Sequence, residues 1–294
     1  MSRALPPPPA TTPTGLPVAR RPGGLLQIGS TPRSATVLGP RVPGAAGVGP
    51  AATAGVEPLG LPGRPAGGAG VEARLVADAS AWAALDPAGP PPVQRFAARA
   101  AAAVAVVGGG RTARLLLQLL DDAGIGTLVT EDPVALPPAR ARPAAPADLV
   151  VLITHHAAHA VRADGLLADG VPHLSVVLRD TDAVVGPLVV PGRSACLRCL
   201  DLHVTDADPG WPAVVDAFVH GPGWVEESAT ARAVAGLAGL QVLAHLDGAG
   251  AGAVGATLEL LLPEGTVRQR WWSAHPQCGC VDLPLPAGRP GRRS

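Results

Sequence analysis

Hydrophobic and polar residues follow two alternating periods from about residue 100 onward. Residues 104–107 form a short apolar run of β-branched character, and they end at three glycines, Gly108, Gly109 and Gly110. Four leucines then share one face of the next segment: Leu115, Leu116, Leu119 and Leu120. This spacing predicts an amphipathic helix over 111–123. Residues 127–130 predict a second strand, so the whole segment is typical of a βαβ unit.

The same alternation continues toward the C-terminus. Apolar runs at 149–153 and 172–178 predict strands on either side of a helix that ends near Asp169. A long Ala- and Leu-rich segment, 226–246, predicts a helix whose first residues, Glu226 and Glu227, we interpret as an ordinary exposed helix start. Two further runs flank a Pro-Glu-Gly turn and predict a hairpin: 257–262 and 267–271. Alternating strands and helices favour an α/β fold with a parallel sheet covered on both faces.

The N-terminal third has a different composition. The chain holds 37 glycines and 34 prolines in 294 residues, and the first 70 residues hold far more than their share. We predict a disordered Pro-rich tail over 1–22, a small and poorly ordered region over 23–98, the α/β domain over 99–285, and a disordered tail over 286–294. Inside the N-terminal region, two short runs around a Gly-Ser-Thr-Pro turn predict a β-hairpin: 25–28 and 35–38.

Charge and residue types exclude several functions. Basic and acidic residues balance at 23 each, so no net field attracts nucleic acid or an anionic membrane. No apolar run approaches the roughly 18 residues of a membrane span, and the first ten residues lack an apolar stretch, so we expect a cytoplasmic protein. The sequence contains neither lysine nor asparagine. Mechanisms that need a lysine Schiff base, a lysine–phosphate contact or an asparagine ligand are therefore excluded.

Four cysteines form two tight pairs, Cys196 with Cys199 and Cys278 with Cys280. Two short loops that each supply two thiolates match the ligand set of a tetrahedral structural Zn²⁺ site. The 78 residues between the pairs exceed the linker of a self-standing zinc finger, so the ion would join distant parts of a larger fold. Two disulfides or a redox CxxC motif are the alternatives. His203 and His275 lie close to the cysteines, and we expect them to surround the site rather than to bind the metal.

Three other features carry alternative interpretations. The glycine turn at residues 108–110 either binds a nucleotide or is a purely structural turn. The cluster of His155, His156 and His159 follows a strand end, where it is either a second metal or acid–base site or a set of solvated loop residues. The pair Trp271–Trp272 is either a partner-binding patch or packs over the cysteine site.

Over about residues 100–282, the chain resembles the ThiF/E1-like superfamily of adenylating proteins. The resemblance rests on the glycine turn after a strand, an acidic residue after the next strand, and a CxxC motif that returns as a second cysteine pair. Three segments are similar, more narrowly, to the E1-like partner of azoline-forming cyclodehydratases: 186–203, 208–212 and 275–280. Residues 22–29 are similar to the start of that family's N-terminal peptide-binding winged-helix region.

The resemblance implies a Rossmann-type doubly wound sheet, a structural zinc on the four cysteines, and a nucleotide site. The positions that match the ATP site are Gly108, Gly109, Gly110, Arg111 and Asp132. Several of its expected groups are missing here. The family's GxGGxG turn ends in Arg111-Thr112-Ala113, its metal-binding aspartate falls at His155, and its ATP-contacting lysine and asparagine are absent. Because phosphoryl chemistry depends on positioned charge and Mg²⁺, these losses should remove most adenylation activity.

The sequence therefore predicts a catalytically degenerate, zinc-binding scaffold. On the family resemblance, it would bind a peptide or protein partner, such as a precursor's leader peptide, and present it to a separate cyclodehydratase, as a possible homodimer. An active ATP-dependent adenylyltransferase that uses Arg111 and Asp132 is the alternative. A nicotinamide-dependent oxidoreductase on the same βαβ unit is the weaker alternative.

Overall fold

The computed structural model describes residues 17–31, 35–39, 78, 81–82, 85–130, 147–158, 160–219 and 225–282. The predicted C-terminal tail, 286–294, and most of the predicted N-terminal tail lie outside this description. The N-terminal region is described mainly at its beginning and its end.

An antiparallel sheet of three short strands begins the described chain, in the order β1 (Val18–Arg21), β2 (Leu25–Ile28) and β3 (Thr36–Leu38). The predicted hairpin is confirmed, since β2 pairs with β3 from Leu26 opposite Leu38 to Ile28 opposite Thr36. The boundary of the predicted disordered tail at residue 22 is wrong, because Val18–Arg21 forms a strand. Ala19 in this strand is buried against α5 of the α/β domain, and that tertiary packing orders a segment whose composition predicts disorder.

The α/β domain follows helix α1 (Pro92–Ala101). Its elements, in chain order, are β4 (Ala103–Val107), α2 (Arg111–Asp122), β5 (Thr127–Thr130), β6 (Leu149–His155), α3 (Ala160–Ala168), β7 (His173–Leu178), β8 (Asp182–Val189), α4 (Leu197–Ala207), α5 (Trp211–Val219), α6 (Ser228–Leu246), β9 (Ala256–Leu261) and β10 (Thr266–Trp271). The predicted βαβ unit and the predicted C-terminal hairpin are confirmed.

Seven of the described strands form one mixed sheet in the order β10-β9-β8-β7-β6-β4-β5. Strands β5, β4, β6 and β7 run parallel, whereas β8, β9 and β10 each pair antiparallel with their neighbour. The prediction of a parallel sheet is therefore correct for one half only. Between β7 and β8 the chain has just residues 179–181, which is too short for the crossover that a parallel connection needs.

Helices cover both faces of this sheet, as predicted. On one face α2 and α6 bury Leu116, Leu120 and Val242 against the strands. On the other face Ala163 of α3 and Leu197 of α4 pack on β6. Helix α6 is long and apolar enough to cross a membrane by length and composition alone. The prediction that no apolar segment approaches the length of a membrane span is therefore wrong for this helix. Its residues in the core cluster show that it packs as a core helix.

A buried ion cluster joins α1 to the end of α6. Arg95, Arg99 and Asp247 each have fully buried side chains. The Asp247 carboxylate accepts from Arg95 Nη1 at 3.1 Å, from Arg99 Nε at 3.0 Å and from Arg99 Nη2 at 2.6 Å. Asp86 and Asp78 bind the remaining guanidinium nitrogens of Arg95 and Arg99 at 2.7 and 2.6 Å. The segment before the α/β domain is thus anchored to it by buried charges as well as by Trp82, which packs against the main core.

Candidate functional site

The four cysteines come together at one end of the sheet. Cys196 immediately precedes α4 and Cys199 lies in its first turn, while Cys278 and Cys280 lie in the turn that follows β10. The β9–β10 hairpin carries the second pair back to the first. The Sγ atoms are 3.8 Å apart for Cys196–Cys199, 3.5 Å for Cys196–Cys278 and 3.4 Å for Cys199–Cys280, and all four lie within 4.8 Å of one another.

These distances fit a metal centre better than disulfides. A tetrahedron of sulfurs about 2.3 Å from a central Zn²⁺ has edges of about 3.8 Å. A disulfide needs an S–S distance of about 2.05 Å, and all four cysteines are free thiols. The cysteines can therefore hold one tetrahedrally coordinated ion, with Cys196, Cys199 and Cys280 buried and Cys278 half-buried.

The cysteine thiols differ in how readily they lose their protons. Burial raises the pKa of the Cys196 thiol, and it raises the pKa of Cys280 to about 11. Burial also opposes ionisation of Cys199, but the backbone N–H of His275, 3.3 Å from its Sγ, helps to bring the pKa of Cys199 below its usual value. Binding a metal would therefore displace protons from Cys196 and Cys280, as thiolate coordination requires.

A hydrogen-bonded array next to the cysteines holds the second loop in place. His275 Nδ1 accepts from the Gln277 N–H at 3.1 Å, so its Nε2 carries the proton and donates to Asp206 at 2.9 Å. His203 Nε2 donates to the carbonyl of Ser273 at 3.1 Å, and its ring meets His275 edge-on. Both histidines lie beside the cysteine site, and a ring nitrogen of each and an oxygen of Asp206 lie within 4.8 Å of one another.

Trp272 and Trp271 have different environments. Trp272 packs against the cysteine cluster, donates its indole N–H to Thr257 at 3.0 Å, and lies under the Arg270 guanidinium at 4.1 Å. Trp271 points away and remains 68% exposed. Packing over the cysteine site is therefore the right interpretation for Trp272 alone.

The glycine turn joins β4 to α2 as predicted. Gly108 and Gly110 have positive φ values of 110° and 103°. A Cβ atom at Gly108 would collide with the carbonyl oxygen of Ile153 on the neighbouring strand β6. Glycine at this position is thus required by conformation and close packing, and the turn places the N-terminus of α2 at the carboxyl end of the sheet.

A carboxylate that the sequence analysis missed occupies this helix N-terminus. Glu226 Oε2 accepts from the Thr112 N–H at 2.5 Å and from Thr112 Oγ1 at 2.7 Å, and Oε1 lies 3.1 Å from His155 Nε2. The Glu226 side chain is only 5% exposed. Burial opposes its ionisation, but the bonds from His155 and Thr112 outweigh burial and hold the pKa of the carboxyl below its usual value. The interpretation of Glu226 as an exposed helix start is wrong, although its neighbour Glu227 does cap α6 from an exposed position.

The other predicted nucleotide-site residues are only partly brought together. Arg111 begins α2 and hydrogen-bonds through its guanidinium to Ser228. Asp132 lies outside the described residues, and so does His159. His155 contacts Glu226, whereas His156 is buried beside Phe218, with ring centroids 5.4 Å apart. His155 and His156 are therefore not solvated loop residues.

A cavity of about 670 Å³ lies over the antiparallel half of the sheet, between β7–β10 and α4. Ser30 of the N-terminal sheet, Asp201 and Trp211 contribute to its wall. Burial raises the pKa of Asp201 to about 6, against the opposing effect of the Trp211 indole N–H, which bonds the carboxylate at 3.2 Å.

The N-terminal sheet docks beside this cavity through polar contacts. Ser30 binds Asp180 through its hydroxyl and its backbone N–H, and the hydroxyls of Thr31 and Thr181 lie 2.5 Å apart. Arg21 forms an ion pair with Asp208, which lowers the pKa of that carboxyl. The three-stranded sheet is thus fixed to the α/β domain at more than one point.

Solved structures share this architecture at low sequence identity. The crystal structure of E. coli MccB with AMPCPP and selenomethionine-labelled MccA has a TM-score of 0.51 and 14% identity, covering 65% of this chain and 70% of that one. The heterocyclase TruD has a TM-score of 0.48 and 16% identity, over 65% of this chain and 29% of TruD. PaaA has a TM-score of 0.49 and 16% identity, over 70% of this chain and 84% of PaaA.

No protein-family model matches the sequence, and no curated protein matches it. At this level of identity the likeness to MccB concerns the fold alone: over about two thirds of its length, the chain shares the α/β architecture of MccB.

Proposed function

We propose that this protein is a catalytically degenerate E1-like scaffold that binds a peptide, such as a precursor's leader peptide, and presents it to a separate enzyme of the cyclodehydratase type. A structural zinc on the four cysteines would stabilise the scaffold. A cytoplasmic location, a homodimeric state and the absence of nucleic-acid or membrane partners belong to the same proposal.

The observation that carries the proposal is the N-terminal sheet, which is docked on the α/β domain and in which β3 is an edge strand among the described residues. Strand β3 pairs on one side with β2, and no described residue pairs with its other side. Val37 at the centre of β3 is 49% exposed. An open edge of this kind can accept an extended peptide as an additional strand, with main-chain hydrogen bonds giving affinity. MccB, which has a similar fold, was crystallised with MccA.

The loss of catalysis is supported by the charges at the glycine turn. His155 ends β6 at the position where the family resemblance calls for a metal-binding carboxylate, and it bonds Glu226 instead. The chain has no lysine to contact a triphosphate. Without the family's metal-binding aspartate and its phosphate-contacting lysine, less remains to stabilise the transition state of phosphoryl transfer.

Two measurements on the wild-type protein test the scaffold. Isothermal titration with ATP and Mg²⁺ should show no micromolar binding, and an ATP–pyrophosphate exchange assay should show no activity. Pyrophosphate exchange above background would instead favour the alternative, an adenylyltransferase that uses Arg111 and Asp132.

Peptide binding is tested with a fluorescently labelled leader peptide, taken from a precursor that is encoded next to the gene for this protein. Val37→Pro should weaken binding at least about tenfold, because proline removes a main-chain donor from the strand that the peptide would extend. Val267→Pro is the matched control, since Val267 lies on β10, the edge strand of the large sheet, and is 48% exposed. Equal effects of the two prolines, or no binding by the wild type, would contradict the proposed site.

A further inference from the structure

The Glu226 carboxylate occupies the place at which a βαβ unit offers its best anion site. The N-terminus of α2 carries unpaired backbone N–H groups and the positive end of the helix dipole, and it faces the glycine turn. In nucleotide-binding proteins of this architecture, that end of the first helix receives phosphate. Here Thr112 donates both its backbone N–H and its hydroxyl to Glu226.

We infer that the side chain of Glu226 is the resident ligand of this anion site, a built-in replacement for a nucleotide phosphate. The inference rests on the proposed function and deepens it, because it names what fills the degenerate site. The site has kept its ability to bind an anion, and the chain itself supplies that anion.

The contacts of the carboxylate leave no room for a second anion. Both oxygens are used, one by Thr112 and the other by His155, and the side chain is 5% exposed. Its Oε1 lies so close to Gly110 that a Cβ atom there would collide with it. A phosphate would need the same donors and the same space over Gly110. Phosphate and the Glu226 side chain therefore exclude each other.

The neighbouring residue keeps Glu226 in this position. Glu227 accepts from the N–H groups of Ala229 and Thr230 at 2.8 Å each and so caps α6. Two consecutive glutamates thus cap two different helices, Glu227 its own α6 and Glu226 the N-terminus of α2. Glu226 lies two residues before α6, and α6 packs against α2 in the core, so the carboxylate is held close to the N-terminus of α2.

The test asks whether inorganic pyrophosphate restores the stability of a full-length variant that lacks the Glu226 carboxylate. Thermal unfolding and isothermal titration, both at constant ionic strength, measure the effect. Wild-type protein should neither bind pyrophosphate nor change its Tm. Glu226→Ala should melt at a lower temperature and bind pyrophosphate. For a Kd near about 1 mM, about 10 mM pyrophosphate should raise the Tm of this variant by roughly 3–5 °C.

Two control variants separate this effect from general destabilisation. Glu227→Ala also removes a helix cap, but it should show no response to pyrophosphate. Glu226→Gln keeps the shape of the side chain and removes its charge, so it should melt below wild type and still exclude pyrophosphate.

The inference is overturned if wild type and Glu226→Ala respond to pyrophosphate equally, or if a folded Glu226→Ala does not respond. If Glu226→Ala does not fold, Glu226→Gln decides, because a wild-type Tm for that variant would show that no anion is needed. These outcomes are independent of the peptide titration, so failure of the peptide-binding proposal would leave the inference about Glu226 intact.

Discussion

Removing the metal from the cysteine site should destabilise the α/β domain by a large and measurable amount. The four thiols join the start of α4 to the turn after β10, two places separated by 78 residues of sequence. Because the site exists only in the folded protein, the free energy of zinc binding adds directly to the free energy of unfolding. At a free zinc concentration of about 100 times Kd, this contribution is about 2.7 kcal/mol.

That value converts into a shift of the melting temperature. For domains of about 150–250 residues, each kcal/mol changes Tm by about 2–4 °C, so chelation should lower Tm by at least about 5 °C. Cys199→Ser should cost at least as much, because Cys199 is fully buried and its Sγ accepts the N–H of His275. The protein as purified should contain one zinc per chain by elemental analysis, and it should lose this zinc when its thiols are modified.

A matched control is available in the same cluster. Ala195→Ser adds a hydroxyl at a buried position next to Cys196 without removing a ligand, so it should retain the zinc. Protein that contains no metal, with a Tm that is indifferent to chelators and to Cys199→Ser, would refute the zinc assignment. Thiols found oxidised to one another would refute it as well.

Two further predictions concern buried charges. Asp247→Ala should lower the free energy of unfolding in urea by about 3–5 kcal/mol, because it leaves the buried guanidinium groups of Arg95 and Arg99 without their shared partner. Asp86→Ala removes a partly exposed contact to Arg95 alone, so it should cost clearly less. Equal losses for the two variants would contradict the central role of Asp247. Burial lowers the pKa of His173 more than its bond to the Val171 carbonyl raises it. Just below pH 6.5 the unfolded chain therefore binds more protons at His173 than the folded protein does. The contribution of His173 to the free energy of unfolding is fully present above about pH 6.5. It is lost on acidification, with a slope of at most about 1.4 kcal/mol per pH unit. His173→Gln should flatten the dependence of the unfolding free energy between about pH 6.5 and 5.5, and an unchanged slope would show that His173 is not responsible.

Much of the fold could be predicted because its signals are local. The glycine turn, the leucine face of α2 and the apolar strands depend on residues close in sequence, and the structure places these elements within a few residues of the predicted bounds. The cysteine pairs belong to the same class, since each pair is set by one short loop. Only the joining of the two pairs is long-range, and the rarity of thiolate pairs made that contact predictable.

The antiparallel pairing of β7 with β8 was not predicted because it depends on the length of one connection. The apolar runs of β7 and β8 are typical of buried strands in either direction. Only the three residues between them, 179–181, decide that the chain turns back instead of crossing over. The buried pair Arg95 and Arg99 was missed for a different reason, because arginines on a helix normally indicate a solvated face.

The contact of Glu226 shows most clearly where local interpretation fails. Its sequence environment, two glutamates before a long helix, is typical of a capped and exposed helix start, and for Glu227 that interpretation is correct. Glu226 differs by one position, which turns its side chain away from its own helix and onto the N-terminus of α2, 114 residues earlier in the chain. The same chemistry, a carboxylate on free N–H groups, is used twice. Which helix receives each carboxylate is decided by the packing of α6 against α2, and packing at that sequence separation leaves no local pattern.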